Sequence, residues 1–121
     1  MGIYKNKFFH QWSKTEGLKN DTLRKTIDEM NKGLYEANLG SGLYKKRVAM
    51  PGKGKRGSYR TLIAFMDNEK AFFIYGFSKN KKSEITNDEK ETYRKLAKNL
   101  LSMGESEIKN LLATNRLFEV D

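Results

Sequence analysis

The stretch from Leu43 to Phe77, LYKKRVAMPGKGKRGSYRTLIAFMDNEKAFFIYGF, decides how this chain folds. Its opening has an apolar period of two, with Tyr44, Val48 and Met50 on one side of an extended segment and Lys45 and Arg47 on the other. Tyr59 to Met66 is β-branched and aromatic, Asp67-Asn68 is a tight-turn signal, and Ala71 to Phe77 is a further extended run. Pro51 to Gly57 joins the first two runs. Three strands with connections this short form an antiparallel meander, because parallel neighbours need a crossover of about a dozen residues or more.

Helical periods flank this meander. Upstream, residues 3 to 9 read as a short strand or as the lead-in to a helix, and Phe8, Phe9 and Trp12 then share a helical face that Gly17 closes. Asn20 or Asp21 can cap a second helix carrying Leu23, Ile27, Met30 and Leu34 at spacings of three or four, and Gly33 marks its end. Glu36 to Gly42 reads as a loop. Downstream, Thr86-Asn87-Asp88-Glu89 is a capping box for a third helix with Tyr93, Leu96, Ala97 and Leu100 on its buried side. Gly104 stops that helix, Ile108, Leu111 and Leu112 mark a short fourth, and Arg116 to Asp121 is a small apolar tail. The expected fold is α+β: N-terminal helices on an antiparallel sheet, a three-strand meander with a possible N-terminal strand, then C-terminal helices. At 121 residues the chain is one domain, 1–121.

Charge is concentrated in the same stretch. Lys and Arg total 24 against 15 Asp and Glu, a net charge of +9. No acidic residue lies between Ala37 and Met66, while Lys45, Lys46, Arg47, Lys53, Lys55, Arg56 and Arg60 all do. A one-sided cationic cluster calls for water or a polyanion, which points to RNA or DNA. An aromatic content of 12% favours a folded domain over a disordered basic tail. The chain has no cysteine, which excludes a disulfide framework and a thiolate metal site. The N-terminus MGIYKNKFFHQW lacks an apolar signal region, Asn6 stands where a myristoylation signal wants Ser or Thr, and no apolar run approaches a membrane span. A soluble, cytoplasmic chain without membrane contact is expected.

Gly52, Gly54 and Gly57 spell GxGxxG, but a dinucleotide site needs strand, turn and helix, and here a strand follows the turn. The glycines suit a hairpin, and Lys53, Lys55 and Arg56 between them suit a grip on a phosphate backbone. Lys45 and Arg47 share a strand face, and Arg60 begins the strand expected to pair with theirs. Cross-strand neighbours lie about 5 Å apart, so three cations repel unless an anion joins them. A lysine packed there against Tyr59 or Tyr75 would lose hydration and could act as a general base near neutral pH. Lys79, Lys81 and Lys82 follow the aromatic strand, an arrangement suited to single-stranded RNA. Phe72, Phe73, Ile74 and Phe77 read as core, and Tyr75 is the aromatic of that strand whose hydroxyl could serve chemistry. His10 is the only histidine and reads as structural, so a histidine-pair ribonuclease is excluded. The acidic residues show no metal-ligand spacing, and no metal or other cofactor is expected.

GSGLYKKRVAMPGKGKRGSYRTLIAF (residues 40–65) followed by FFIYGFSKNKKSEIT (residues 72–86) resembles the RelE/HigB-like toxins of bacterial type II toxin–antitoxin systems, in a subgroup associated with phage and mobile elements. Arg47, Gly54, Arg60, Gly76, Phe77 and Lys79 match the family pattern, and Lys45 matches its basic position. Ser58 replaces a glycine before Tyr59, Glu84 stands where Asn is common, and the C-terminal tail lacks the tyrosine or histidine of some relatives. The resemblance implies a fold like that of microbial ribonucleases and metal-independent mRNA cleavage, in many relatives on the ribosome. By it, Arg47 and Arg60 stabilise the phosphorane, Lys45 or Lys79 is the general base, and Tyr75 is an acid or a stacking surface. Lys46, Lys53, Lys55, Arg56, Tyr59, Lys81 and Lys82 contact RNA. It further implies a cognate antitoxin, a helix-turn-helix protein through which the toxin reaches operator DNA. The alternatives are a ParE-like poison of DNA gyrase and a non-catalytic nucleic-acid-binding module.

Overall fold

The computed structural model describes residues 1–50, 57–78, 82 and 84–121. Lys53, Lys55, Arg56, Lys79 and Lys81, all expected at the RNA site, lie outside the described residues. Strand β1 (Gly2–Asn6) runs straight into helix α1 (Lys7–Glu16), which is followed by α2 (Asn20–Asn31). Strands β2 (Ala37–Gly40), β3 (Leu43–Ala49), β4 (Ser58–Met66) and β5 (Lys70–Ser78) come next, then α3 (Asn87–Ser102), α4 (Glu105–Ala113) and β6 (Leu117–Glu119). The α+β class and the β3-β4-β5 meander are as expected.

The sheet is wider than the meander. Its order is β2-β3-β4-β5-β1-β6, with β1 parallel to β5 and the remaining pairs antiparallel, so the sheet is mixed. The parallel pair is possible because α1, α2 and the whole meander separate β1 from β5. The stretch read as a loop at 36–42 holds β2, joined to β3 through Ser41 (φ 56°) and Gly42 (φ 82°). Two successive positive φ angles make the tight hairpin turn that a right-twisted strand pair prefers. The C-terminal tail supplies β6, fixed by Val120 N–H donating to the Ile3 carbonyl at 2.8 Å.

Helices cover both faces. On one, α1 and α2 bring Phe9, Leu23, Ile27 and Met30 against Ile63, Phe65, Ala71 and Phe73. On the other, Ala97, Leu100 and Ile108 of α3 and α4 cover Leu43, Leu62, Ala64, Phe72 and Ile74. The capping box of α3 closes both ways, with Glu89 N–H donating to Thr86 Oγ1 (3.1 Å) and Thr86 N–H to Glu89 Oε1 (2.9 Å). The expected caps of α2 do not act as caps. Its N-cap is Lys19, without a side-chain bond, because Asn20 Oδ1 accepts from Lys5 Nζ and Asp21 pairs with Arg24. Leu34 lies past Gly33 (φ 84°) and is exposed rather than part of the α2 stripe.

One irregularity positions the site. Leu62 pairs with Tyr75 and Ile63 with Phe73, leaving Ile74 as the extra residue of a β-bulge. The bulge shifts the alternation, so Phe73 faces α1 and α2 while Tyr75, two residues on, packs with the α3 side.

Candidate functional site

On the face that α3 covers, alternate residues of three strands form two cross-strand rows. Arg47 pairs with Arg60 and Arg60 with Phe77; Lys45 pairs with Leu62 and Leu62 with Tyr75. The expected trio of Lys45, Arg47 and Arg60 therefore shares one face, and the bulge brings Tyr75 to it. Arg47 is exposed and Arg60 half-buried, with Arg60 Nη1 donating to Ser58 Oγ at 3.3 Å. Among the described residues, neither guanidinium has a carboxylate within 4.0 Å. Glu36 comes close, but its Oε1 accepts from the backbone N–H of Arg47 at 2.6 Å. Two facing guanidiniums without a counter-charge favour an anion that bridges them, and a phosphate fits their paired donors.

The second row carries its own acids. Lys45 Nζ is 3.7 Å from Glu84 Oε1, a pair whose carboxylate is largely exposed. Glu84, which stands where Asn is common, thus pairs with Lys45. Lys82 pairs with Glu89, and that bond holds the lysine above and the glutamate below their ordinary pKa. Tyr75 is half-buried, and Phe8 (5.2 Å, 24°) and Tyr93 (5.1 Å, 28°) each stack on its ring. Burial, with Tyr75 and Glu89 nearby, pushes the Tyr93 hydroxyl up to about 12.

The family model for the RelE toxin of the RelE / RelB toxin-antitoxin system matches residues 1–120. The chain belongs to the RelE toxin family. It is thus the toxin component of a toxin–antitoxin system, and toxins of this family pair with RelB-type antitoxins. No curated protein matches the chain significantly. The mixed sheet between two helical layers is consistent with a RelE-like fold. No helix among the described residues is long and apolar enough to cross a membrane.

Two of the residues expected to touch RNA lie elsewhere in this RelE toxin. Lys46 alternates to the α2 side, where it is 7% exposed, and its ammonium is 2.9 Å from Glu29 Oε1. Tyr59 is 5% exposed on that same side, where its hydroxyl donates to Glu16 Oε1 at 3.0 Å. Burial, reinforced by Glu16, pushes that hydroxyl up to about 12. Both depart from the expectation for one reason: strand alternation turns them away from Arg47 and Arg60. A cleft of about 790 Å³ opens between α2 and β3, with Lys46 and Glu29 among its walls and Arg47 and Ser58 at its border. His10 stacks flat on Phe118 (3.7 Å, 6°), and burial, then Lys5 and Lys14, lower its pKa.

Phe8, Tyr93 and Glu89 were not among the expected site residues. Tyr93 was legible as a helix residue on the buried side, and Phe8 as the i−4 partner of Trp12. Nothing local pointed either of them at Tyr75, because the bulge that turns Tyr75 toward them has no signature within AFFIYGFS.

Proposed function

We propose that this RelE toxin is a metal-independent endoribonuclease that cleaves mRNA on the ribosome. The observation that supports it best is the Arg47–Arg60 cross-strand pair, which has no carboxylate partner among the described residues. In the proposed reaction the 2′-oxygen attacks the adjacent phosphorus and the bond to the 5′-oxygen breaks, leaving a cyclic phosphate and a 5′-hydroxyl. Arg47 and Arg60 stabilise the charge that gathers on the phosphorane oxygens. Lys45 or Lys79 takes the proton of the 2′-hydroxyl, and Tyr75, in the row beside Arg60, supplies one to the departing oxygen. With His10 as the only histidine, proton transfer falls to lysine and tyrosine. Lys53, Lys55, Arg56, Lys81 and Lys82 hold the backbone of mRNA or ribosomal RNA. An antitoxin of the helix-turn-helix type neutralises the cationic face and carries the toxin to operator DNA, all within the cytoplasm.

Induced expression with 5′-end mapping of cellular transcripts tests the reading. Cuts in codon register are expected with the wild type and their loss with Arg60→Ala. Cuts without register would remove the ribosome from the proposal. Intact transcripts with DNA-damage signalling would instead indicate a gyrase poison, and binding without toxicity a non-catalytic module.

A further inference from the structure

The outer edge of β5 changes character along its length. β1 pairs with it only as far as Phe73, and Asn6 closes that pairing by donating from Nδ2 to the Ile74 carbonyl at 3.0 Å. No described strand continues along Tyr75 to Ser78, where an edge turns alternate N–H and C=O groups outward. Helix α1 lies across this edge instead. Trp12 sits on Gly76 so closely that a methyl group there would come within 2.2 Å of the indole. Only glycine tolerates that approach.

Between the helix and the open edge is a hollow of about 340 Å³. Trp12, Tyr75 and Phe77 give it aromatic walls, and Thr15, Ser78 and Lys82 give it polar ones. Glu16 also lines it and already accepts the Tyr59 hydroxyl. Phe8, one turn before Trp12 on the same stripe of α1, is 49% exposed and lies on Tyr75. On β5 itself, Phe77 is the cross-strand partner of Arg60. The hollow thus adjoins the guanidinium row, and its lining suits a flat, unstacked ring with polar edges.

We infer that this hollow is a nucleobase subsite, which takes one base of a single RNA strand whose neighbouring phosphate sits at Arg47 and Arg60. The placement of that phosphate rests on the proposed ribonuclease reading; the subsite itself rests on the hollow, the open edge and the aromatic walls. The base lies against the aromatic walls, the Thr15 and Ser78 hydroxyls meet its polar rim, and Phe8 forms the lip; the Ser78 carbonyl already accepts from the Lys82 N–H at 3.1 Å. Stacking of this kind accepts any base, and the rim groups add preference.

Equilibrium binding of a fully 2′-O-methylated single-stranded RNA tests this, because without a free 2′-hydroxyl it cannot be cleaved. A set of such strands carries one abasic position walked along the sequence. In the wild type one abasic position is expected to weaken binding about tenfold, the scale of a single base stack. Thr15→Trp, which fills the hollow from an exposed position, is expected to weaken the intact strand to a similar degree and to flatten the scan. Phe8→Ala provides a second, smaller perturbation of the same lip and is expected to shallow the dip. Arg60→Ala is expected to weaken every strand alike and keep the dip. A flat wild-type scan with binding retained would overturn the subsite and leave the ribonuclease reading standing. A Thr15→Trp protein that melts normally, with affinity and scan unchanged, would overturn it as well. A wild type that binds none of the strands would overturn the subsite, and the ribonuclease reading would then stand or fall on cleavage of ribosome-borne mRNA.

Discussion

The two faces of one strand pair differ in how their charges are answered. On the α3 side of β3 and β4, Arg47 and Arg60 face each other with no carboxylate partner among the described residues. One residue away, on the α2 side, Lys46 is buried against Glu29 and the Tyr59 hydroxyl is held by Glu16. Seven cations in one window suggested a single basic surface. The strands sort the four described ones, Lys45, Lys46, Arg47 and Arg60, by parity, and counter-charge then separates a structural ion pair from a site that needs an anion. Count alone does not locate function; the presence or absence of a partner does.

The contrast breaks first at the arginines. Arg47→Ala and Arg60→Ala should each reduce mRNA cleavage by about 10²–10³-fold, the scale of removing one donor to a developing oxyanion. Their melting temperatures should stay near the wild type's, since no described ion pair is lost. Lys46→Met should do the reverse. It leaves Glu29 half-buried without its partner, and because that carboxylate is 41% exposed the loss should be about 1–2 kcal/mol of stability, read from the urea midpoint. Cleavage per folded molecule should be unchanged.

Tyr59→Phe sharpens the same comparison at lower amplitude. The ring keeps its edge-on packing with Trp12 (5.0 Å, 81°), so only the hydroxyl bond to Glu16 goes. A loss of about 0.5–1.5 kcal/mol is expected, with the cut pattern intact. A new cut pattern would return Tyr59 to the RNA.

The smallest effect is a pH dependence away from both faces of the pair. His10 Nδ1 is buried without a hydrogen-bond partner among the described residues, and burial, Lys5 and Lys14 lower its pKa below the ordinary 6.5. Above pH 6.5 the imidazole is neutral in folded and unfolded chains alike, so it adds no slope. As pH falls below 6.5 the unfolded chain takes up the proton first, and stability drops until the folded pKa is passed. Urea midpoints at successive pH values should show this fall, and His10→Gln should reduce it. An unchanged slope in that variant would assign the dependence to other groups.

Much of this was legible in the sequence. The meander, both N-terminal helices and the α3 capping box follow from period-two and period-3.6 patterning and from caps, all of them local signals. Strands β2 and β6, at four and three residues, are too short to show a period, and the β1–β5 pairing joins segments that are far apart in the chain. The site divides the same way. Lys45, Arg47 and Arg60 were readable from alternation, whereas Lys46, expected at the RNA, has the parity of Tyr44 and Val48, a signal the expectation did not use. Tyr75 was different: in AFFIYGFS the apolar run is continuous, so no alternation reveals that Ile74 bulges and turns Tyr75 to the arginine face.

The most direct measurement sets the two faces side by side. Purified toxin, freed of its antitoxin, is given ribosomes carrying a defined mRNA, and single-turnover cleavage is followed for the wild type, Arg60→Ala and Lys46→Met. The expected result is cleavage lost by about 10²–10³-fold in Arg60→Ala and unchanged in folded Lys46→Met. Comparable losses in both variants, or full activity in Arg60→Ala, would contradict the assignment of function to the arginine pair that has no carboxylate partner among the described residues.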